Sequence, residues 1–596
     1  MANQQAFYST WTLLRGICSH LSQRRRKQLG LLLLVMLASG GAELISLGSV
    51  LPFLAVLSDP EMLWQQELVQ AWASRVGLTA ASELLFPATL MFISAAVFAA
   101  LVRLLNLWLN VRLAAALGSD LSCEAYRRTL YQPYSMHMQA NSASLINSIT
   151  TQIGQTVNAL YALLQLLTSV MVSAGLLSAL LLIDAPVALA ALALFCGVYW
   201  ALAITTRREL IRNGHKILEG STLQLKSLQE GLGAIRDVLL NGNQPTYLHV
   251  YRQADRPHRK HLAKNIFLGS FPRYVLEALA MVAIAIFGGL LVLQRSSGAA
   301  VIPLLGSLAL GAQRLLPALQ QIYNSWAVLK GSNSAMQAVL QLLNQPLPPV
   351  VRVAEPLVFR ESIRFDGVHF RYRTEQPEVL HGIDLEIRRG ERIGLIGRTG
   401  SGKSTLVDLL IGLLQPSNGR LLVDGVDLHD KAYFQRLIAW RAAVAVIPQR
   451  IYLADSSIAE NIAFGIPKHS IDLARVIRAA KQAQISDFIE SKPEGYSCSI
   501  GERGIRLSGG QRQRIGIARA LYKQASVIIF DEATSALDTN TEKALMESVE
   551  SLTKELTIVM VAHRLTTLQR CDRVLRIHHG KVVASGLPSQ ILEENS

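Results

Sequence analysis

Six apolar runs, each long enough to cross a bilayer, recur along the first 330 residues of this chain of 596. They lie near 29–57, 86–116, 155–182, 186–205, 266–293 and 299–326. A helix needs about 20 apolar residues to cross a hydrocarbon core of about 30 Å. A single buried helix of a soluble protein can look similar. Six such runs in one half of a chain instead predict an all-α transmembrane domain of six helices at 29–330.

The composition fits a chain with a second, soluble part. Charged residues make up 17% of the sequence and hydrophobic residues 50%, whereas soluble domains carry about 25% charged residues. These values exclude one large soluble globule and a disordered chain. The five cysteines form no CxxC pair, which excludes a disulfide scaffold and gives no zinc site.

Basic residues are distributed unevenly about the predicted spans, and this asymmetry predicts the orientation. The segment 1–28 and the loop 206–265 are basic, whereas the loop 58–85 has four acidic residues and one arginine. Because cytoplasmic loops carry the excess of Lys and Arg, we expect a multi-pass protein of the cell membrane with both termini cytoplasmic. Residues 7–22 are expected to form an amphipathic helix on the inner surface, and 58–85 a short one at the outer interface. The net charge of +15 is expected to face anionic lipid headgroups rather than nucleic acid.

After a linker at 331–360, the pattern at 361–596 changes to strands alternating with helices, which predicts an α/β domain. The strand-like ERIGLI is followed by a GxxxxGKS motif between strand and helix, a typical phosphate-binding loop. Its backbone N–H groups and helix N-terminus favour phosphate oxygens. Lys403 is expected to reach the β- and γ-phosphates of ATP and Ser404 to bind Mg²⁺. The predicted nucleotide-binding residues of this loop are Gly397, Arg398, Thr399, Gly400, Ser401, Gly402, Lys403, Ser404 and Thr405.

A second element completes a nucleotide site. Residues 527–532 read as an apolar strand that ends in Asp531 and Glu532. Two acids at a strand end can cap a helix, but beside a phosphate loop they predict a metal ligand and a base. Asp531 is expected to hold Mg²⁺, and Glu532 to act as the general base that orients the attacking water.

Between these elements, Leu507 precedes a Ser-Gly-Gly-Gln turn and a basic helix. This segment resembles the signature of ATP-binding cassette (ABC) transporters, and further motifs match that family in order. The resemblance assigns Tyr372 to adenine stacking, Gln449 to the γ-phosphate and metal, and His563 to the γ-phosphate switch. It also assigns a dimer-crossing loop to 535–538. An ordinary strand aromatic, a polar loop residue and a core histidine are the alternatives for these three side chains. The signature residues expected to bind nucleotide are Ser508, Gly509, Gly510 and Gln511.

The resemblance implies a multidomain membrane protein: a half-exporter with one six-helix domain and one P-loop ATPase cassette. In this family the signature of one subunit covers ATP held by the phosphate loop of the other. Because no motif is degraded, a homodimer that uses ATP and Mg²⁺ is favoured over a heterodimer. The segments 132–141 and 231–243 match those that transmit closure to the spans.

Substrate preference must be sought in the membrane domain, where ionisable residues are costly. Arg103, Arg273 and Arg314 fall on the second, fifth and sixth predicted spans, with Glu277 also on the fifth and Glu43 on the first. Each alone suits a structural role, but together they predict a cavity for phosphate or pyrophosphate. Stretches such as AELISLGSVLPFLAVLSDP and FPRYVLEAL resemble the branch of lipid-linked oligosaccharide flippases. Export of such an anionic lipid is expected. The alternatives are a lipid A-like, multidrug or peptide exporter and, from another class, a regulatory or channel protein.

Overall fold

The structure of the protein is a computed structural model. It describes residues 9–58, 60–65, 69–70, 80–183, 185–294, 301–348, 355–430, 434–532, 542–544, 547, 555–561 and 568–593. The chain forms two compact units. The first comprises Met1–Gln132 and Ala140–Pro348, and the second comprises Pro133–Gln139 and Pro349–Ser596. A short piece of the helical half, from within the predicted 132–141 segment, is thus grouped with the cassette.

The first half of the chain is helical throughout its described residues, as the apolar runs predict. A 3₁₀ turn at Ala81–Leu84 and a π-helical turn at Ser148–Gln152 interrupt the α-helices. The α-helices are α1 (Thr10–Ser19), α2 (Gln23–Gly48), α3 (Val50–Ser58), α4 (Pro60–Trp64), α5 (Leu85–Leu130), α6 (Tyr134–Gln139), α7 (Ser142–Asn147), α8 (Ile153–Ile183), α9 (Ala185–Gly233), α10 (Ile235–Leu240), α11 (Gln244–Ser270), α12 (Pro272–Gln294), α13 (Val301–Gly331) and α14 (Asn333–Leu343).

Within the described residues, three stretches are long and apolar enough to cross a membrane: Gln23–Gly48, Ala81–Leu130 and Ser142–Leu181. They contain most of the first three predicted spans. The other three predicted spans lie largely in α9, α12 and α13. Two predicted runs are divided: the first between α2 and α3, and the fifth between α11 and α12, where Pro272 begins the new helix. Proline has no N–H to continue the preceding helix, so an apolar run does not ensure one unbroken helix. Residues 59, 66–68 and 71–79 of the predicted outer helix at 58–85 lie outside the described residues.

The amphipathic N-terminal helix packs against protein. Leu13, Leu14 and Ile17 of α1 are buried in one apolar cluster with Met336 and Val339 of α14. The sequence predicts that this helix lies on the inner membrane surface and that a linker follows residue 330. Helix α14 lies within that predicted linker, and its own apolar stripe covers the apolar side of α1. The position of α1 at the inner membrane surface stays a prediction.

Helices α2 and α8 cross at backbone contact. A Cβ built on Gly175 would lie 2.5 Å from the carbonyl oxygen of Gly40. Any larger residue would push the two helices apart. Small residues at this crossing give the close helix approach typical of membrane bundles.

The second half contains two sheets. Their strands are β1 (Ser362–Phe370), β2 (Leu380–Arg388), β3 (Arg392–Ile396), β4 (Asn418–Val423), β5 (Val426–Asp427), β6 (Val444–Ile447), β7 (Val527–Asp531), β8 (Thr557–Val561), β9 (Arg573–His578) and β10 (Lys581–Gly586). The first sheet is antiparallel with order β2-β1-β4-β5. The second has order β10-β9-β3-β8-β7-β6, in which all pairs except β10 with β9 are parallel.

The helices of this half are α15 (Lys403–Leu410), α16 (Phe434–Ala443), α17 (Ile458–Ile462), α18 (Leu473–Gln482), α19 (Ser486–Glu490), α20 (Gly509–Lys523) and α21 (Pro588–Glu593). Because β3, β8 and β7 run parallel, their carboxyl ends share one edge of the sheet. The predicted phosphate loop follows β3 and the predicted carboxylates end β7. Ligands of open α/β sheets bind at this edge.

Candidate functional site

The phosphate loop joins β3 to α15 in a conformation that requires glycine. Gly400 and Gly402 have φ of 81° and 105°, in the left-handed region that side chains rarely adopt. A Cβ on Gly397 would lie 2.2 Å from the carbonyl oxygen of Ile577. The tight curl places the N-terminus of α15 at the mouth of the loop, where its free N–H groups favour an anion.

Lys403 lies inside this curl. Its Nζ donates hydrogen bonds to the carbonyl oxygens of Gly397 (2.7 Å) and Arg398 (3.1 Å). Burial lowers the pKa of Lys403, while the charges of Glu532 and Asp531 act in the opposite direction. Ser401 is buried, and its hydroxyl has no hydrogen-bond partner among the described residues. A partially desolvated ammonium and an unsatisfied hydroxyl fit a phosphate group that would supply the missing acceptors.

The two carboxylates stand where the sequence predicts them, at the end of β7. Glu532 has a φ of 51°, a strained value for a residue with a side chain. The hydrogen bond from its N–H to the Val561 carbonyl (2.9 Å) holds this turn. Burial and the charge of Glu532 raise the pKa of Asp531, so a cation bound here would relieve its desolvation. Asp531 and the exposed Ser404 are the side chains that suit Mg²⁺.

Gln449 and Glu532 come together from distant parts of the sequence. The Gln449 Nε2 donates to the Glu532 Oε2 at 2.6 Å. This contact holds the carboxylate that is predicted to be the base. A nucleotide that contacts Gln449 would therefore also affect the position of the Glu532 carboxylate.

Tyr372 lies beside the phosphate-loop helix. Its hydroxyl is 2.8 Å from the Thr405 hydroxyl, and its ring packs edge-on against Phe370 with centroids 5.0 Å apart. Both contacts fix the ring next to the start of α15. This position agrees with a ring that stacks against the base of a nucleotide. The sequence did not indicate the hydrogen bond to Thr405.

The Ser-Gly-Gly-Gln turn forms the start of α20 through a capping box. The Gln511 N–H donates to the Ser508 hydroxyl (3.3 Å), and the Ser508 N–H donates to the Gln511 Oε1 (2.9 Å). These reciprocal bonds satisfy two helix-terminal donors. The S-x-x-Q spacing could have predicted them. Within the part of the chain that the structure describes, both side chains bond only within the turn, leaving the N–H groups of Gly509 and Gly510 at an open helix end.

Two predicted features lie outside the described residues: His563 and the loop 535–538. Their roles remain predictions. Within the described residues, no group of three or more His, Cys, Asp or Glu side chains could hold a metal ion. Any Mg²⁺ would therefore depend on Asp531 together with hydroxyl and amide oxygens and the nucleotide itself.

Asp408 is a residue near the site that the sequence analysis missed. It lies one turn after Ser404 in α15, where burial and the charge of Asp531 raise its pKa to about 6. The spacing i to i+4 from Ser404 was a usable signal, since both residues share one helix face.

The raised pKa of Asp408 predicts a pH-dependent stability difference. The native state keeps the Asp408 proton up to about pH 6, whereas an unfolded aspartate releases it near pH 4. The free energy of unfolding therefore falls as pH rises through this window, and the penalty persists above it. We expect Asp408→Asn to melt roughly 3–6 °C above the wild type at pH 7.5, with a smaller difference at pH 5. Thermal melting of the purified full-length protein without nucleotide measures this.

Glu378→Gln is the matched control, because hydrogen bonds from His369 and Arg371 lower the pKa of Glu378. Its stabilising effect is present above the unfolded pKa and is lost on acidification, so this variant should lose stability relative to wild type as pH rises. A melting difference for Asp408→Asn that is the same at both pH values would contradict the assignment.

Two of the three arginines predicted to meet substrate have carboxylate partners in the structure. Arg103 Nη1 is 2.6 Å from Oε1 of Glu43, whose side chain is only 4% exposed. Arg273 Nε is 2.7 Å from Oε1 of Glu277 on the same helix. Arg314 lies in α13, and its side chain is outside the described residues. The sequence placed Glu277 on the same predicted span as Arg273, whereas the pairing of Arg103 with Glu43 of another span is shown only by the structure.

Comparisons with known proteins cover both halves of the chain. A family model described as ABC transporter matches residues 380–535. An ATP-dependent lipid A-core flippase of Chromohalobacter salexigens is 42% identical over 262 residues, 44% of each chain. The protein of that name from Chromobacterium violaceum is 30% identical over 493 residues, 82% of each chain. A solved structure of a bacterial Atm1-family ABC exporter with ATP bound gives a TM-score of 0.77 over 96% of each chain, at 23% identity. At that identity the likeness shows the fold alone.

Proposed function

This chain belongs to the ABC transporter family as a half-exporter, and we propose that it moves a phosphate-bearing glycolipid from the cytoplasmic to the outer leaflet. As in the family, a membrane domain is fused to an ATPase cassette, and ATP hydrolysis is coupled to transport across the membrane. The proposal concerns the cargo, the direction and the pairing of subunits.

The observation that carries the cargo proposal is the similarity to lipid A-core flippases over 82% of both chains, which includes the membrane half. This favours a lipid A-like substrate, an alternative of the sequence analysis, over the lipid-linked oligosaccharide that it put first. The oligosaccharide remains the second candidate because of the flippase-like stretches around Glu43 and Arg273. Both cargoes combine phosphate, sugar and long apolar chains.

We propose that two copies of the chain pair, so that each signature turn closes over nucleotide held by the other phosphate loop. The N-terminus of α20 supports this. Its capping box uses the N–H groups of Ser508 and Gln511, and the N–H groups of Gly509 and Gly510 suit a γ-phosphate. Within each copy, Lys403 binds phosphate, Ser404 and Asp531 hold Mg²⁺, and Glu532 orients water. His563 is proposed to assist at the γ-phosphate.

The intramembrane ion pairs set a condition on substrate binding. A phosphate that binds Arg103 would meet a guanidinium that is already bonded to the buried Glu43 carboxylate. Removing one partner of a buried pair leaves an uncompensated charge. We propose that phosphate joins Arg103 on its half-exposed side without displacing Glu43, since a guanidinium has five donors.

Translocation assays in proteoliposomes test the proposal. The protein is reconstituted with a lipid A-type lipid or a polyprenyl-diphosphate glycan, and headgroup appearance in the outer-equivalent leaflet is followed with ATP. The triple variant Arg103→Ala, Arg273→Ala, Arg314→Ala is expected to lose at least about tenfold in transport rate, because charge-assisted bonds contribute about 1.5–3 kcal/mol each. The matched control replaces three exposed arginines, Arg208, Arg252 and Arg256, by Ala.

Each result of this assay decides between the candidates. Transport and ATPase stimulation by the lipid A-type lipid support the first candidate, and the same response to the glycan supports the second. Wild-type transport by the triple variant contradicts a role for the arginines. If neither lipid is moved by the wild-type protein, the cargo proposal is wrong even if ATP is hydrolysed.

A further inference from the structure

A groove between α2 and α5 opens on the surface of the helical unit, and its lining includes neither Arg103 nor Arg273. Its cavity volume is about 380 Å³, within the range of small-ligand pockets. The floor is apolar and is built from both helices. Leu31 and Leu32 come from α2, and Leu109 and Leu113 from α5. Leu32 is buried, whereas Leu31 is 64% exposed, so the floor continues into the open apolar surface of the helices.

The rim of the groove is basic. Arg24 and Arg25 stand at the start of α2, and Arg112 stands on α5. Lys27 joins Arg24 in an adjoining recess that shares Leu31. Asp120 neutralises one of these charges, through hydrogen bonds from Arg25 Nε (2.8 Å) and Nη2 (3.3 Å). This bidentate pair ties α2 to α5 and leaves the rim with a net positive charge.

The residues of the rim suit the depth of lipid headgroups. The Arg112 guanidinium lies over the Trp108 ring, 5.0 Å from its centroid, and tryptophan is enriched at the membrane interface. Both helices carry the apolar stretches that can cross a membrane. Arg24 and Arg25 begin the first of them, while Arg112 lies in the last part of the second. If both termini are cytoplasmic, as the distribution of basic residues predicts, the groove faces the inner leaflet.

We propose that this groove binds a resident anionic phospholipid of the inner leaflet, with its phosphate at Arg24 and Arg112 and an acyl chain along the leucine floor. Charge complementarity identifies the occupant. A zwitterionic lipid brings its own cation to a rim that already has an excess of positive charge, whereas an anionic headgroup is attracted to it. The inference rests on the proposed membrane orientation but not on the proposed cargo.

Native mass spectrometry of the full-length protein in detergent tests the site, with phosphatidylglycerol as the probe and phosphatidylcholine as the reference lipid. Arg24→Gln with Arg112→Gln is expected to weaken the tightest phosphatidylglycerol binding about 25-fold, since each basic residue contributes about fivefold near an anionic surface. Phosphatidylcholine binding should stay the same. The matched control is Arg15→Gln with Arg26→Gln, which removes two exposed charges of the same N-terminal segment outside the groove; it should bind within about twofold of wild type.

Unchanged phosphatidylglycerol affinity in the groove variant, or equal losses in the groove and control variants, would overturn the proposal. A smaller fraction of dimer in the groove variant, with no change in bound lipid, would instead identify the groove as a contact between copies. That result would also overturn the proposal. Because thermal melting is recorded for each variant, a loss of binding with wild-type melting is required for support. The assay involves no transport, so it can fail while the glycolipid proposal stands, and the reverse.

Discussion

Replacing Glu532 by Gln is expected to lower the kcat of ATP hydrolysis at least about 100-fold, since a positioned general base contributes about 10²–10⁴ in rate. The amide keeps the size of the side chain and can still pair with Gln449, which bonds the carboxylate at 2.6 Å. The left-handed backbone at this position should also persist, because the N–H to the Val561 carbonyl is unaffected. The expected loss is therefore chemical and not structural.

Steady-state ATPase assays and nucleotide binding on the same preparation check this prediction. Nucleotide affinity of Glu532→Gln should remain near wild type, since the loss concerns the transition state. Asp531→Asn is the informative comparison. It removes the proposed metal ligand and should raise the Mg²⁺ concentration needed for half-maximal activity, which Glu532→Gln should not do. A Glu532→Gln protein that hydrolyses ATP at the wild-type rate would show that Glu532 is not the base.

Replacing Lys403 by Ala is expected to weaken ATP binding by about 30-fold or more, because losing one partner of a desolvated charge pair costs about 2–5 kcal/mol. The ammonium is held at the loop by two carbonyls at 2.7 and 3.1 Å, so it is already positioned for a phosphate. The variant also removes the positive charge that holds down the pKa of Asp531.

Titration with a fluorescent ATP analogue measures this effect, with thermal melting to separate binding from folding. Without nucleotide, melting should change little, since Lys403 loses two hydrogen bonds but also a buried charge that costs energy to desolvate. Lys403→Arg is the control that keeps the positive charge but changes the shape of the charged group. The larger guanidinium must displace the loop carbonyls, so it should restore little affinity. Wild-type affinity in Lys403→Ala would contradict the phosphate role.

The site shows where local sequence information is sufficient. The glycines around Lys403 and the acids that end β7 were predicted because strand, loop and helix start are neighbours in sequence. Their geometry depends on backbone sterics and on hydrogen bonds over a few residues. The apolar runs were predicted for a similar reason, since hydrophobic length is a property of a continuous segment.

The sequence says less about how segments pack. The N-terminal amphipathic helix could have buried its apolar side in lipid or in protein, because an apolar stripe does not specify its partner. In the structure, the apolar side of this helix packs against α14. The divisions of two predicted spans near Ser49 and Pro272 depend on helix breaks that hydropathy alone does not resolve.

The sequence by itself determined that this protein has a membrane-spanning half and a nucleotide-binding half, and it predicted which side chains bind phosphate. Tertiary structure alone decided that Gln449 bonds Glu532 across 83 residues, that Glu43 neutralises Arg103, and that basic rim and leucine floor meet between α2 and α5. The physical reason is that spacing along a chain fixes local backbone geometry and helix faces. Which faces meet depends on the packing of whole helices and strands, to which every segment contributes.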